Sequence, residues 1–589
     1  MPEKYQHFDL IIIGLGIYGI SAARTYLEVH PHHNVAIFEA SATVGGVWSA
    51  ERMYNDFITQ TPLGMAEFSD LVLEDVPQDD QYYGFFKARH MTKYLEHYTR
   101  SREYAGTTIA DRVHFNSPVE RLSKHGGRWA VAIEGSKTIY SAPQVIDASG
   151  LTSTPHIPNI PGKDAFRSLS LHHKNFGQSD VLRNSRYQDI VVLGGAKSAA
   201  DVAYAAAKSH KEVTWIIRKS GAGPAAFVPA QGRGPYRNSN ESFYNRLTAS
   251  FLASAFHSEN WWTQFLYVTR AGRALWNWIW AGINAGPQKL AKFDRLDGQK
   301  NGFANLKPDT PLFWQNDSTG IVQRADFFDT IATQVRVIRQ DIHSINEEGL
   351  VLDDGTAVAA DAIVYCTGWK ICHPYLDNET AAQLGLPVHQ DYCSPQEVVR
   401  WQALDREGEI KTLERFPVLR EPPSHRAPTG VLSPFRLYKG MLPPHDHSII
   451  FLGKLMLGNH FRNAEVQALW AVAALDGNVC FPSTEDIDAE IADTVAWCRK
   501  RYLSKGELGN WLYFDMVPYT DMLLEQLGLK SHRKTWLKDL LAPCLARDLR
   551  GLVNEYKELH QPPRATSRKH RNRRRAHETL LNQSESYSL

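Results

Sequence analysis

Two glycine-rich breaks, each set between an apolar run and a helix-like pattern, constrain this 589-residue chain more than any other feature. The first is "DLIIIGLGIYGISAARTYLE", Asp9 to Glu28, and the second "DIVVLGGAKSAADVAYAAAK", Asp189 to Lys208. Residues 9–13 do not alternate apolar with polar, so they read as a strand buried on both faces. Gly14 to Gly19 form a turn, Ile20 to His30 a helix and "NVAIFEA" the next strand, which together make a βαβ unit of a parallel sheet. Residues 189–193, 198–209 and 213–218 repeat the plan. The internal similarity is local, so it marks two related nucleotide folds and not a repeat array. The expected fold class is α/β, with two dinucleotide-binding Rossmann-like domains, the second inserted into the first, plus a helical insertion.

The chemistry of the two turns differs. Gly14-Leu15-Gly16-Ile17-Tyr18-Gly19 is GxGxxG. Gly14 permits the tight turn, Gly16 lets backbone approach a pyrophosphate, and Gly19 lets helix and strand pack closely. The helix then offers unpaired N–H groups and the positive end of its dipole to the phosphates. Glu39 closes the second strand, where a carboxylate accepts bonds from ribose hydroxyls and repels a 2′-phosphate. This cradle suits FAD or NAD. In the second turn Gly194 and Gly195 are followed by Ala196, Lys197, Ser198 and Ala199, with alanines at two usual glycine positions. Lys197 either adds charge near the phosphates or points to solvent. The strand "VTWIIR" ends at Arg218, the place of Glu39 in the first motif, and an arginine there forks onto a 2′-phosphate. The second cradle therefore suits NADPH.

The intervening segments resemble one family. "EASATVGGVW", with Gly45, Gly46, Val47 and Trp48, resembles the ExxxxxGGxW segment of FAD-containing monooxygenases. "FRSLSLHHKNF" places Phe166, His172 and Phe176 as in the FxGxxxHxxx-aromatic linker of flavin-containing and Baeyer–Villiger monooxygenases, with Ser168 for the glycine and Phe176 for the Tyr or Trp. In "FITQTPLGMAEFSD" Thr59 matches and Gln60 replaces an Asn that lies near the flavin in relatives. "DASG" at Asp147–Gly150 and "CTGW" at Cys366–Trp369 resemble the two ATG-type strands, and Glu465, Gln467, Ala468 and Trp470 match a late SExQAxW segment. The resemblance, to class B flavoprotein monooxygenases and most closely to fungal enzymes of secondary metabolism, covers roughly residues 8–475. It implies FAD contacts at Gly14, Gly16, Gly19, Glu39, Gly46, Val47, Trp48, Thr59, Val119 and Gly150, and NADPH contacts at Gly194, Gly195, Lys197, Ser198 and Arg218, with Gly368 on the second ATG-type strand. It further implies that NADPH reduces the flavin, that a C4a-hydroperoxide forms with O2, and that one oxygen atom passes to a small organic substrate. Gln60 is the expected hydrogen-bonding group near C4a, and His172 the residue that places the linker as the domains move. Baeyer–Villiger oxygenation and a non-catalytic binding protein on the same fold are the alternatives. A disulfide reductase needs a cysteine pair in the first domain, and no cysteine precedes Cys366.

Along the chain the expected division is 1–175 and 339–555 for the FAD domain, 176–338 for the NADPH domain with an aromatic helical insertion at about 230–310, and 556–589 for a disordered basic tail around "RKHRNRRR". The formal charge of +1 gives no global field to recruit nucleic acid. Six scattered cysteines without CxxC suit reduced thiols and a cytoplasmic setting. In "NWWTQFLYVTRAGRALWNWIWAGINAG", Arg270 and Arg273 interrupt the apolar run, and the uncharged remainder falls short of the ~20 residues a spanning helix needs. That leaves an interfacial or pocket-lining role, and its aromatic content points to a large apolar acceptor. His445, Asp446 and His447 are adjacent and point in different directions, so no metal is expected. The sequence does not specify the oligomeric state.

Overall fold

The structure, a computed structural model, describes residues 4–54, 57–314, 319–426 and 429–560. Along the chain the elements that position the sites are β1 (Leu10–Ile13), α1 (Ile17–Val29), β2 (Val35–Phe38), β3 (Val113–His114), β4 (Gln144–Asp147), β5 (Leu169–His172), β6 (Asp189–Leu193), α2 (Lys197–Lys208) and β7 (Glu212–Ile217). They continue with α3 (Trp261–Val268), α4 (Arg270–Ala291), β8 (Val335–Arg339), β9 (Ala362–Tyr365), β10 (Ile449–Phe451), α5 (His460–Leu475) and α6 (Leu552–His560). Two five-stranded sheets form, ordered β10-β4-β1-β2-β3 and β5-β9-β6-β7-β8, with every pairing parallel. β1, β2, β9 and β10 are buried along their whole length, which is what unbroken apolar runs require in a parallel sheet covered on both faces.

The domain boundaries differ from the expected ones. The linker strand β5 pairs with β9, Leu169 opposite Ala362, and β9 pairs in turn with β6. The second sheet therefore draws on residues 169–365, and not on 176–338. The antiparallel strands Ile342–Ile345, Gly349–Leu352 and Ala357–Ala359 also belong beside it, since Ile345, Leu350 and Val358 share a core with Val191 and Ile363. The first sheet resumes only at β10. At the C-terminus α6 runs to His560, with Tyr556 buried and Lys557 Nζ bonded to the Glu28 carbonyl at 3.0 Å, so residues 556–560 are helical. The remainder of the expected tail, 561–589, lies outside the described residues.

The aromatic insertion is helical, as expected, and packs on the first domain. α3 and α4 form a hairpin in which a Cβ on Gly272 would lie 1.8 Å from the Phe265 carbonyl oxygen, so only glycine allows that approach. The Trp276 and Trp280 indoles both donate to the Phe251 carbonyl, at 2.9 and 3.0 Å. Buried Arg501 donates to the Phe313 and Leu252 carbonyls and lies 3.6 Å from the centre of the Phe313 ring, tying the insertion to the C-terminal helices. Among the described residues no helix is long and apolar enough to cross a membrane. A second lock explains the late SExQAxW segment. Glu465 on α5 accepts from Ser69 N and Oγ, each at 2.6 Å, and from Arg24 of α1 at 3.0 Å. Losing one partner of so buried a pair costs about 3–5 kcal/mol.

Candidate dinucleotide sites and the seam between them

The first cradle is built by close backbone crossings. Gly14 sits at φ +93°, and a Cβ there would lie 2.8 Å from the Ala148 oxygen. A Cβ on Gly19 would come within 2.0 Å of the Gly14 oxygen, so strand and helix meet only because both are glycine. Gly16 caps α1 with no side-chain bond to the first turn, leaving those N–H groups available to an anion. Gly46, at φ +61°, approaches it from the Gly46–Trp48 turn: a Cβ on Gly46 would lie 3.1 Å from Gly16 Cα. The Trp48 indole N–H on this turn is buried with no partner among the described residues, and Val47 is exposed. Glu39 is buried, accepting from Leu15 N at 2.7 Å and Ser41 N at 2.8 Å. Each carboxylate oxygen keeps a lone pair for a ribose. Ser117 N bonds to the Glu39 carbonyl at 2.9 Å, and the chain then enters the strand that begins at half-buried Val119. A slot walled by glycine backbone, an orphaned indole N–H and a buried carboxylate fits a dinucleotide of the FAD type.

The second cradle repeats the construction. In each domain the residue after the buried strand crosses the first glycine. Ala148 N bonds to Ile13 O at 2.8 Å, and Cys366 N bonds to Leu193 O at 2.7 Å. A Cβ on Gly194 would lie 2.2 Å from the Cys366 oxygen, matching Gly14 with Ala148. Gly195 lies against the Gly223 oxygen, 2.8 Å from its would-be Cβ. Ala196 caps α2 in extended conformation (φ −107°, ψ −167°), so alanine serves where a positive φ would demand glycine. Ser198 is half-buried in the first turn and Ala199 is fully buried. Arg218 follows β7 with its side chain exposed, and partial desolvation, with repulsion from Arg426 second, lowers its pKa. Gly150 and Gly368, at φ +73° and +84°, end the two crossing segments with open space beside them.

Between the cradles runs a seam. His172 is buried; its Nδ1 accepts from Lys174 N at 3.2 Å and its Nε2 donates to the Gly368 carbonyl at 2.9 Å. That pair of bonds sets the neutral Nε2–H tautomer, and burial, which lowers its pKa, keeps it neutral. His172 thus ties the linker to the second ATG-type segment. Ser168 holds the glycine position without strain, its hydroxyl donating to the Asp361 carbonyl at 2.5 Å. Gln60 does not present the free amide expected of it. Its Nε2 donates to the Val322 carbonyl at 3.0 Å and its Oε1 accepts from Val322 N at 2.8 Å, so the side chain clamps the first domain to the segment that follows the insertion. Thr59 is likewise occupied, its hydroxyl accepting from Phe86 N at 3.1 Å. Lys197 neither faces solvent nor stands free beside the turn: it pairs with Asp201 and lies 4.6 Å over the Phe57 ring. Sequence reasoning missed Tyr54, Gln323 and Asp201, which meet at this seam. The i,i+4 spacing of Lys197 and Asp201 was a visible signal, whereas nothing local marks Tyr54.

This architecture, two dinucleotide folds with one inserted in the other, is shared with flavin-dependent monooxygenases of known structure, and the chain, an oxidoreductase, is similar to the FAD-dependent monooxygenases. Over nearly its whole length it is a relative of fungal members. It is 29% identical over 578 residues to FAD-dependent monooxygenase rstn6 of Aspergillus nomiae, covering 93% of this chain and 98% of that one. It is 28% identical to FAD-dependent monooxygenase DEP4 of Fusarium langsethiae, covering 96% and 98%. A family model described as pyridine nucleotide-disulphide oxidoreductase matches residues 11–230, a stretch that contains no cysteine. Among solved structures, OTEMO in complex with FAD and NADP has a TM-score of 0.59 at 16% identity, covering 88% of this chain and 97% of that one. Cyclohexanone-bound cyclohexanone monooxygenase has 0.57 at 16%, covering 89% and 98%.

Proposed function

We propose that the chain binds FAD at the first cradle and NADPH at the second, and transfers one atom of O2 to a small apolar organic substrate. The observation that supports this best is the pair of cradles of one construction in one chain, closed by a carboxylate at Glu39 and a guanidinium at Arg218. Bound FAD supplies hydride acceptance at N5 and oxygen activation at C4a. The protein's part is placement. Glu39 offers lone pairs to the adenosine ribose, and the α1 N-terminus receives the pyrophosphate. Arg218, exposed just past β7, takes the 2′-phosphate that Glu39 would repel. His172 stays neutral and holds linker to crossing segment, so the path between cradles keeps one length. Gln60 joins the first domain to Val322 and acts through the seam.

The purified chain should be yellow, and NADPH oxidation with matched oxygen uptake should be stimulated by some member of a panel of amines, sulfides, ketones and alkenes. Incorporation of one labelled atom from 18O2 into the product separates oxygenation from peroxide release. A colourless chain that FAD cannot reconstitute refutes the proposal.

A further inference from the structure

One buried carboxylate gathers partners from both domains and from the segment that follows the insertion, yet the proposed chemistry has no use for it. Asp201, on the second turn of α2, is 1% exposed. It pairs with Lys197 at the start of the same helix. It accepts from Tyr54 Oη of the first domain at 2.8 Å and from Gln323 Nε2, beyond the insertion, at 2.9 Å, and Arg324 waits at 4.0 Å. Tyr54 is itself fixed in a tier that leads back to the first cradle. Its ring stacks on Phe57 at 4.9 Å, Phe57 stacks on Trp48 of the Gly46–Trp48 turn at 5.6 Å, and Phe176 of the linker meets Tyr54 edge-on at 5.4 Å. The linker backbone also lies against Met53, since a Cβ on Gly177 would lie 2.0 Å from the Met53 oxygen. A continuous chain of contacts therefore joins the Gly46–Trp48 turn of one cradle to the first helical turn of the other.

We infer that Asp201 is a positioning residue that couples nucleotide arrival at the second cradle to the seating of Trp48, Tyr54 and Phe57 against the first. The inference rests on the reading of that cradle as the NADPH site. In the structure Asp201 holds the Lys197 ammonium, the one cation in the turn. A pyrophosphate at the α2 N-terminus carries two negative charges and competes for it. The lysine stem is long enough to swing without moving the helix. Asp201 is not then left as a bare buried charge: Tyr54 and Gln323 remain bonded, and Arg324 closes in as the replacement cation. The exchange tightens the grip on Tyr54 when nucleotide is present and returns Lys197 to Asp201 when it leaves. Asp201 thus opposes nucleotide binding and favours hydride transfer, two effects of opposite sign.

The test uses the full chain loaded with FAD and the variants Asp201→Asn and Tyr54→Phe. Titration calorimetry with NADP+ reads affinity, and stopped-flow absorbance with saturating NADPH reads flavin reduction. Asp201→Asn releases Lys197, so NADP+ should bind about threefold to tenfold more tightly, while reduction slows by a similar factor because the hydrogen bond to Tyr54 loses its charge. Tyr54→Phe keeps the ring stack and removes the bond, so it should leave affinity within about twofold and slow reduction as Asp201→Asn does. In the double variant reduction should be no slower than in the slower single variant, since both changes cut one contact. A parallel loss of affinity, reduction and thermal midpoint in Asp201→Asn would make the carboxylate merely structural and overturn the inference. Unchanged reduction in Tyr54→Phe would overturn it too. A parent chain that binds FAD but not NADP+ overturns the nucleotide reading and this inference with it, through the parent alone.

Discussion

Lys454→Met should be among the most damaging substitutions outside the cradles themselves. Lys454 and Asp147 form an ion pair with both side chains wholly shielded from solvent. Its Nζ donates to Asp147 Oδ1 at 3.2 Å, Ser149 Oγ at 3.1 Å and the Gly150 carbonyl at 3.4 Å. These are the residues that carry the chain over Gly14. Burial by itself would push the Asp147 carboxyl up, yet Lys454, nearby His373 and bonds from Tyr375 and Ser149 hold it at about 2. Against an ordinary carboxyl near 4, that depression is worth about 2–3 kcal/mol. Methionine preserves the stem and removes the cation, leaving a buried carboxylate without its counter-charge at a cost of about 3–5 kcal/mol. Urea unfolding followed by the fluorescence of released flavin measures it, because the Ala148–Gly150 crossing should fail with the pair. Adding Asp147→Asn should recover part of the loss, giving a coupling of about 2 kcal/mol between the two sites. In the parent the Asp147 contribution is complete above about pH 4 and is lost as pH falls toward 2. A Lys454→Met chain that keeps its flavin and unfolds within about 1 kcal/mol of the parent would refute the argument.

Gly16→Val should fold, since its Cβ meets only Gly46 Cα, at 3.8 Å, but should fill the cradle and yield apoprotein with a near-parental melting midpoint; normal flavin content would contradict the site. Arg218→Ala should raise the Michaelis constant for NADPH by the roughly 1.5–3 kcal/mol of a charge-assisted contact and leave NADH nearly unaffected. An equal effect on both nucleotides would assign Arg218 to structure. Burial holds His173 and His373 at about 3 and His257 and His460 at about 4. The unfolded chain takes up these protons below about pH 6.5 while the fold does not, so stability should decline steadily from there toward pH 4. A flat unfolding midpoint between pH 7 and 5 would count against four histidines held neutral by the fold.

The two βαβ units were legible because each rule behind them is local: an apolar strand, glycines at fixed offsets, and a helix. The positions of Glu39 and Arg218 were legible for the same reason, as each follows directly on the strand next in sequence. The domain boundaries were not. β5 finds its place only by pairing with β9, nearly two hundred residues away, and no residue near His172 announces that partner. Gln60 shows the same limit at the scale of one side chain. Its family position suggested an amide near the flavin, but Val322, which meets it edge to edge, follows a long insertion and cannot be placed from either neighbourhood alone. Glu465 stood out as a motif residue, yet its meaning as a lock on Arg24 and Ser69 needed α1 and α5 side by side. The alanines at 196 and 199 departed from the glycine pattern harmlessly, because one backbone is extended and the other residue packs in the helix.

The late arrival of β10 bears on how the polypeptide is made. As the chain leaves the ribosome, β1 to β4 emerge first and lack their fifth strand. All five strands of the second sheet are available once Tyr365 is out, whereas the first sheet waits for Ile449–Phe451 and for the α5 lock on Arg24. The N-terminal half must then remain unsealed on one edge while the inserted domain folds within it, a period in which an exposed strand edge invites wrong pairing. A nascent chain stalled near residue 400 should hold a protease-resistant core at 169–365 with its N-terminus still open to cleavage, so vectorial synthesis would complete the second cradle before the first.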